Sequence, residues 1–235
     1  MRLSRAIARR VACAALLLLT AIAAVQTVAR SFDGALPLPG TAAPRTFPPA
    51  WEAFSEAWPI IAAYRARIAI FEQAGLQTQQ VVFDYDFRKP MSATMHVVEG
   101  PNSGVTLEWG GGTTVIAHRG SGLLALFKRT FSLHDPQATT IRGSSIDQLS
   151  FGSILDHGFE TAGAVAQTDG PTIDGLATDE VRLIPANPAA NSGLTLEIID
   201  LSRATHFPVH LSGYEGVLLV RTIDFSNVVI EGAAK

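Results

Sequence analysis

Two periodicities run along this chain and predict different elements. Over residues 51–75 the large apolar side chains Phe54, Trp58, Ile61, Ile68 and Phe71 recur at roughly helical spacing. Ala53, Ala57, Ala62, Ala63, Ala66 and Ala69 raise helix propensity, and Gly75 offers a C-terminal stop. Pro59 removes a backbone donor and clashes with the preceding turn, so it splits the segment. The pattern predicts a short helical piece followed by a longer helix over residues 59–74.

Beyond Gln77 the period becomes two. Val81, Phe83, Tyr85 and Phe87 fall on one face, and Val82, Asp84, Asp86 and Arg88 on the other. Met91, Ala93, Met95 and Val97 alternate in the same way, as do Val105, Leu107 and Trp109. Pro101-Asn102-Ser103-Gly104 and Gly110-Gly111-Gly112 supply tight turns, and after the second the strand pattern continues from Thr113 to His118. Consecutive strands joined by short turns form an antiparallel meander. A strand is predicted near residues 127–133, and a helix over Ile146, Leu149 and Leu155 with Ser144-Ser145 as its cap. Residues 157–172 read as loop. Strands resume near residues 176–184, 194–199, 208–214 and 217–225. About eight strands with one apolar face, and two or three amphipathic helices to cover it, define an α+β fold: a strongly curved antiparallel sheet with helices on its concave side.

The first thirty residues follow neither pattern. Arg2, Arg5, Arg9 and Arg10 precede an apolar run over residues 11–24, and small residues follow it. These are the three parts of a secretory signal peptide, so residues 1–29 are read as a leader, the alternative being an uncleaved N-terminal anchor facing the periplasm. Either way the bulk of the chain is placed outside the cytoplasm. Residues 30–49 hold Pro37, Pro39, Pro44, Pro48 and Pro49 and read as an extended linker, which leaves residues 50–235 as the domain.

Composition narrows the function classes. The 235 residues are 47% hydrophobic and 17% charged, which excludes a disordered chain. The net charge is −3. Loss of the leader removes four of 18 basic residues and none of 21 acidic ones, leaving 14 against 21 and a net −7. That balance argues against a nucleic-acid partner. The single cysteine, Cys13, lies in the leader, so a disulfide framework is excluded.

Candidate chemistry is sparse. There is no Gly-x-Ser-x-Gly elbow, and Gly110-Gly111-Gly112 lacks the lysine and helix of a phosphate loop. His206 and His210 are four apart, but on a strand at about 3.3 Å per residue they stand about 13 Å apart, too far for one ion. Asp84 and Asp86 share a polar face with Arg88 and read as solvated carboxylates. No catalytic residue, metal or cofactor is therefore expected. The informative feature is the row Phe83, Tyr85, Phe87, Met95, Leu107 and Trp109. It is core at least in part. A slot between the row and its helical cover would suit an irregular apolar guest.

Several stretches resemble exported proteins of the LolA-like superfamily of lipoprotein carriers. They are Tyr64-Arg65-Ala66-Arg67 through Phe71-Glu72, then Phe87-Arg88-Lys89-Pro90, then Glu99-Gly100-Pro101-Asn102-Ser103-Gly104 with Leu107-Glu108-Trp109. Asp200, Phe207-Pro208-Val209 and Tyr214 complete the set. The resemblance is to an uncharacterised branch. It implies an incomplete antiparallel barrel capped by helices, an apolar cavity for acyl chains, and a periplasmic location. Relatives use a cavity arginine to control uptake; the motifs assign that position to no residue here, and Arg67 and Arg88 stand only beside them. The expected function is a non-enzymatic carrier of a lipid or lipoprotein acyl chain. The alternative is an envelope interaction or sensor module with a closed core and a protein partner.

Overall fold

The computed structural model describes residues 46–120 and 127–232; the leader and most of the proline-rich stretch lie outside it. Eleven strands form one sheet in which every pairing is antiparallel. In chain order they are β1 (Ile61–Ala74), β2 (Gln77–Arg88), β3 (Ser92–Glu99), β4 (Val105–Trp109), β5 (Thr114–Arg119), β6 (Arg129–Ser132), β7 (Ala162–Ile173), β8 (Leu176–Pro185), β9 (Leu196–Ser202), β10 (Pro208–Glu215) and β11 (Leu218–Gly232). Their spatial order is β6-β5-β4-β3-β2-β1-β11-β10-β9-β8-β7. The first strand thus lies at the centre, against the last, and β6 and β7 form open edges. Two helices, α1 (Pro49–Ala57) and α2 (Phe151–Thr161), and a 3₁₀ turn at Ile146–Leu149 cover the inner face. Register shifts at Arg65/Arg67, Val82/Phe83, Gly213/Tyr214 and Asp169/Thr172 add local twist and bend the long strands around this cover. The result is the expected α+β architecture, an incomplete barrel.

One expectation is overturned in the middle of the sheet. Residues 61–74 are not a helix but β1, paired with β2 from Ala63↔Arg88 to Ala74↔Gln77. Tyr64, Ala66, Ile68 and Ile70 are buried, while Arg65 and Arg67 between them are exposed. That alternation of period two outweighs the alanine content, because a strand with a partner on each side is decided by packing rather than intrinsic propensity. The short first piece is helical, as α1, and ends in a 3₁₀ turn at Trp58–Ile60. Gly75 is the first residue of a two-residue hairpin turn, with φ +59° in the left-handed region.

The helix expected from Ile146 is interrupted. The Ser145 amide donates to Gln148 Oε1 at 3.2 Å in the 3₁₀ turn, then the Ser150 hydroxyl accepts from the Ser153 amide at 3.0 Å and starts α2. Residues 157–172, expected as loop, are the end of α2 and most of β7. The strand count rises from about eight to eleven accordingly.

The core is aromatic. Tyr64 stacks on Phe151 at 4.2 Å between centroids with 3° between planes, and Phe151 stacks on Phe207 at 5.2 Å. The Tyr64 hydroxyl accepts from the Phe151 amide at 3.1 Å and donates to the Leu149 carbonyl at 3.4 Å, so a sheet residue caps the start of α2. The Tyr85 hydroxyl donates to the Ile146 carbonyl at 3.0 Å. Burial pushes both phenols above their ordinary range. Gly158 on α2 lies so close to the Trp51 ring that a Cβ there would sit 2.2 Å from it. Only glycine permits this approach of α1 to α2.

Candidate functional site

The six residues singled out in the sequence lie on one face of three adjacent strands. Tyr85, Met95 and Leu107 form one cross-strand row, and Phe87, Ala93 and Trp109 the next. Phe83 pairs with Val97. All six are buried. Their covers differ. Phe87 packs on Trp58 at 5.6 Å and Tyr64 at 5.5 Å, and Tyr85 is tied to Ile146. Leu107 borders a cavity of about 760 Å³, and Trp109 borders a smaller one of about 420 Å³ among Asp86, Arg88, Ser92, Thr94 and Glu108. The Trp109 indole donates to the Gly112 carbonyl at 2.7 Å.

The larger cavity lies on the inner face at the β6 end of the sheet. Register places Val105 and Leu107 of β4, Ala117 and Arg119 of β5, and Arg129 and Phe131 of β6 on that face. Gln77 and Gln79 of β2 form another side. The segment from Pro136 to Ile141 roofs it. That roof is pinned by polar contacts at its far end. Glu72 is buried and accepts from the Arg142 amide at 2.9 Å and the Ser144 hydroxyl at 2.7 Å. Arg142 reaches the Gln73 carbonyl at 2.8 Å, the Ser192 carbonyl at 2.7 Å and Glu215 at 2.5 Å. The Ile141 amide donates to Gln79 Oε1 at 2.9 Å. Its volume lies within the range of small-ligand sites, about 300–1,000 Å³. Sequence reasoning placed Leu107 on the apolar face and foresaw strands near 113–118 and 127–133, but nothing in the pattern pointed to the roof or to a cavity between it and these short strands.

Charged groups elsewhere are mostly paired. Asp84 meets Arg67 at 2.9 Å and Asp86 meets Arg88 at 3.7 Å, in line with the solvated reading of that face. His118 contacts Glu108 at 3.2 Å, and His96 contacts the Thr106 hydroxyl at 3.0 Å. His206 sits in a turn at φ 64°, apart from the ladder that holds His210. Among the described residues no three His, Cys, Asp or Glu gather as a metal site would require.

One arrangement was not foreseen. His210 contacts Asp224 Oδ1 through Nδ1 at 2.6 Å and the Ser212 hydroxyl through Nε2 at 2.8 Å. The connection order is that of a serine hydrolase triad. The hydrogen bond to Asp224, against partial burial, raises the affinity of His210 for its proton. Ser212, however, sits within β10 between β9 and β11, paired with Ile198 and Thr222. Its amide belongs to the ladder and cannot serve an oxyanion. Neither cavity includes these three residues. The arrangement ties β10 to β11 through the contact of His210 with Asp224.

Fold and cavity together define a class: an open antiparallel half-barrel, helically filled at its centre, with a partly apolar chamber at one end. No protein-family model and no curated protein matches the chain. Solved structures do. The chain is similar to lipoprotein LppX from Mycobacterium tuberculosis, with 12% identity over 76% of this chain and 92% of that one and a TM-score of 0.47. It is similar to LprF from Mycobacterium bovis, with 15% identity over 79% and 94% and a TM-score of 0.43. A LolA superfamily protein from Nitrosomonas europaea shares 12% identity over 79% and 94%, with a TM-score of 0.36. Identities this low leave function to be read from this chain's own residues. Among the described residues no helix is long and apolar enough to cross a membrane.

Proposed function

We propose that this is an exported, non-enzymatic protein of the cell envelope that shelters the acyl chain of a lipid or lipoprotein. The observation that carries the reading is the cavity of about 760 Å³ with Val105, Leu107, Ala117, Phe127, Phe131 and Ile141 around it. Each buried methylene contributes about 0.8 kcal/mol, so a 16-carbon chain contributes up to roughly 10 kcal/mol before ordering costs. Binding of that size needs no catalytic group. In this reading Leu107 touches the chain, Tyr85 and Met95 back it along the cross-strand row, and Phe83, Phe87 and Trp109 extend the same apolar wall. The leader pattern supports a periplasmic location.

A second reading rests on the hairpin tips. Leu76 and Val217 are fully exposed at the β1–β2 and β10–β11 turns, which the antiparallel pairing of β1 with β11 sets side by side. Two apolar tips at one end of the sheet suit an envelope protein partner. Titration of the purified protein with a fluorescent long-chain fatty acid separates the two. The first reading expects saturable binding at micromolar concentration. It also expects Ile141→Asp, at a half-exposed position on the cavity roof, to weaken binding about tenfold while circular dichroism stays native. Absence of saturable binding by a folded protein rejects the carrier reading and leaves the partner reading.

A further inference from the structure

The cavity is not uniformly apolar: amides and hydroxyls share its lining, and its charged groups are of one sign. Arg119 and Arg129 border it, and no aspartate or glutamate does among the described residues. Register fixes how they sit. Arg129 pairs with Ala117, and Arg119 lies two residues further along the same face of β5, so the two backbones stand diagonally, about 7–8 Å apart. Both are inward positions, in the rows that hold Val115, Ala117 and Phe131. Neither arginine has an acidic partner among the described residues. The nearby basic residues Lys128 and His118 are both engaged by Glu108, at 3.2 Å each. The Arg129 guanidinium instead lies 5.1 Å from the Phe131 ring centroid, a contact that holds its fork in place without neutralising it.

Depth matters as much as sign. Arg119 is the last residue of β5 and is exposed, opposite Val105 at the start of β4, whereas Leu107 and Val115 lie further along the strands and are buried. Cations therefore stand at the rim and apolar side chains inside. An uncharged chain would leave two guanidinium groups facing its end without a partner. An anion there accepts hydrogen bonds from both forks while its tail enters the apolar interior.

We propose that the ligand of this cavity is an anionic amphiphile, oriented head outward, whose carboxylate or phosphate is held by Arg119 and Arg129. This rests on the acyl-chain reading above and narrows it from any lipid to those with a charged head. The test uses isothermal titration of the full protein with dodecanoate, its uncharged methyl ester, butyrate and inorganic phosphate. The wild type is expected to bind dodecanoate about tenfold or more tightly than the ester, a preference that shrinks in 0.5 M salt. Arg119→Gln combined with Arg129→Gln is expected to lower dodecanoate affinity to the wild-type value for the ester. Equal wild-type affinities for acid and ester overturn the charged-head proposal and leave the acyl-chain reading standing. Butyrate or phosphate binding as tightly as dodecanoate also overturns it, since the site would then take a free anion. Failure of both long-chain ligands to bind rejects the acyl-chain reading and this proposal together. The wild-type comparison decides the matter even if the double variant does not fold.

Discussion

Glu197 is a carboxylate 2% exposed, in a chain with few charges to spare. It is surrounded by donors: His157 Nε2 at 2.9 Å, Asn191 Nδ2 at 2.8 Å and Arg221 at 2.6 Å. Burial works against its ionisation, but the hydrogen bond to His157 and the charges of Arg221 and His157 outweigh it and hold the carboxyl down at about 2. The contact joins α2 to β9 and β11, so it fastens a helix of the cover to the sheet. The folded value lies below the ordinary 4.5, so the stabilisation is fully present above pH 4.5 and is lost as pH falls toward 2. Its size is roughly 3 kcal/mol. Urea midpoints measured from pH 7 to pH 2 are expected to fall across that window. Glu197→Gln is expected to lower stability at pH 7, with Arg221 left uncompensated, and to flatten the acid limb. An unchanged acid limb in the variant would show that other carboxylates control acid unfolding.

At the scale of elements, β1 decides the fold and is the element sequence pattern misreads. Its alanines satisfy a helical period as well as its alternation satisfies a strand. The two assignments predict opposite responses at Ala69, a half-buried outer-face position between Val82 of β2 and Asp224 of β11. A β-branched residue costs a helix and suits a strand, so Ala69→Val is expected to raise stability by about 0.5 kcal/mol, read as a higher urea midpoint at constant m-value. A fall of that size would contradict the central strand. The same competition explains what was legible. β2, β3 and β4 alternate with large apolar residues, because one face packs on Tyr64, Phe151 and Ile146 and the other meets water. The edge strand β7 reads as loop because its first half carries only small apolar residues and Val165, and Gln167, Thr168, Asp169 and Gly170 follow, so no alternation of large side chains shows, as suits an exposed edge. The apolar row was visible from its period. The cavity was not, because its roof has no periodic signal and is placed by Glu72 and Arg142, whose partners are distant in sequence.

At the scale of the whole molecule, the half-barrel divides its concave face between a filled centre and a hollow end. The centre is closed by the stack of Tyr64, Phe151 and Phe207, with Phe225 5.4 Å from Phe151. Such a stack is close-packed and resists a guest, since each displaced ring forfeits its burial and its ring contacts. The hollow end, at about 760 Å³, has finite depth. If the acyl-chain reading holds, a chain that enters near Arg119 and passes Leu107 heads along the row of Met95 and Tyr85 toward this stack, Tyr85 standing 6.0 Å from Tyr64. Stabilisation by ligand should therefore depend on chain length in two stages. Each added methylene strengthens binding by about 0.8 kcal/mol while there is space to enter. Past the depth of the hollow, further methylenes remain in water and add nothing. Because a ligand that binds only the folded state stabilises it in proportion to the logarithm of its affinity, the melting temperature reads this directly. At fixed free concentration, a series of fatty acids from eight to eighteen carbons is expected to raise the midpoint progressively and then level off. A rise that continues to the longest chain would mean that the aromatic stack parts and the whole concave face admits ligand. In that case Phe151→Leu, which thins the stack, would tighten binding of long chains, whereas a levelled series predicts that it only lowers stability.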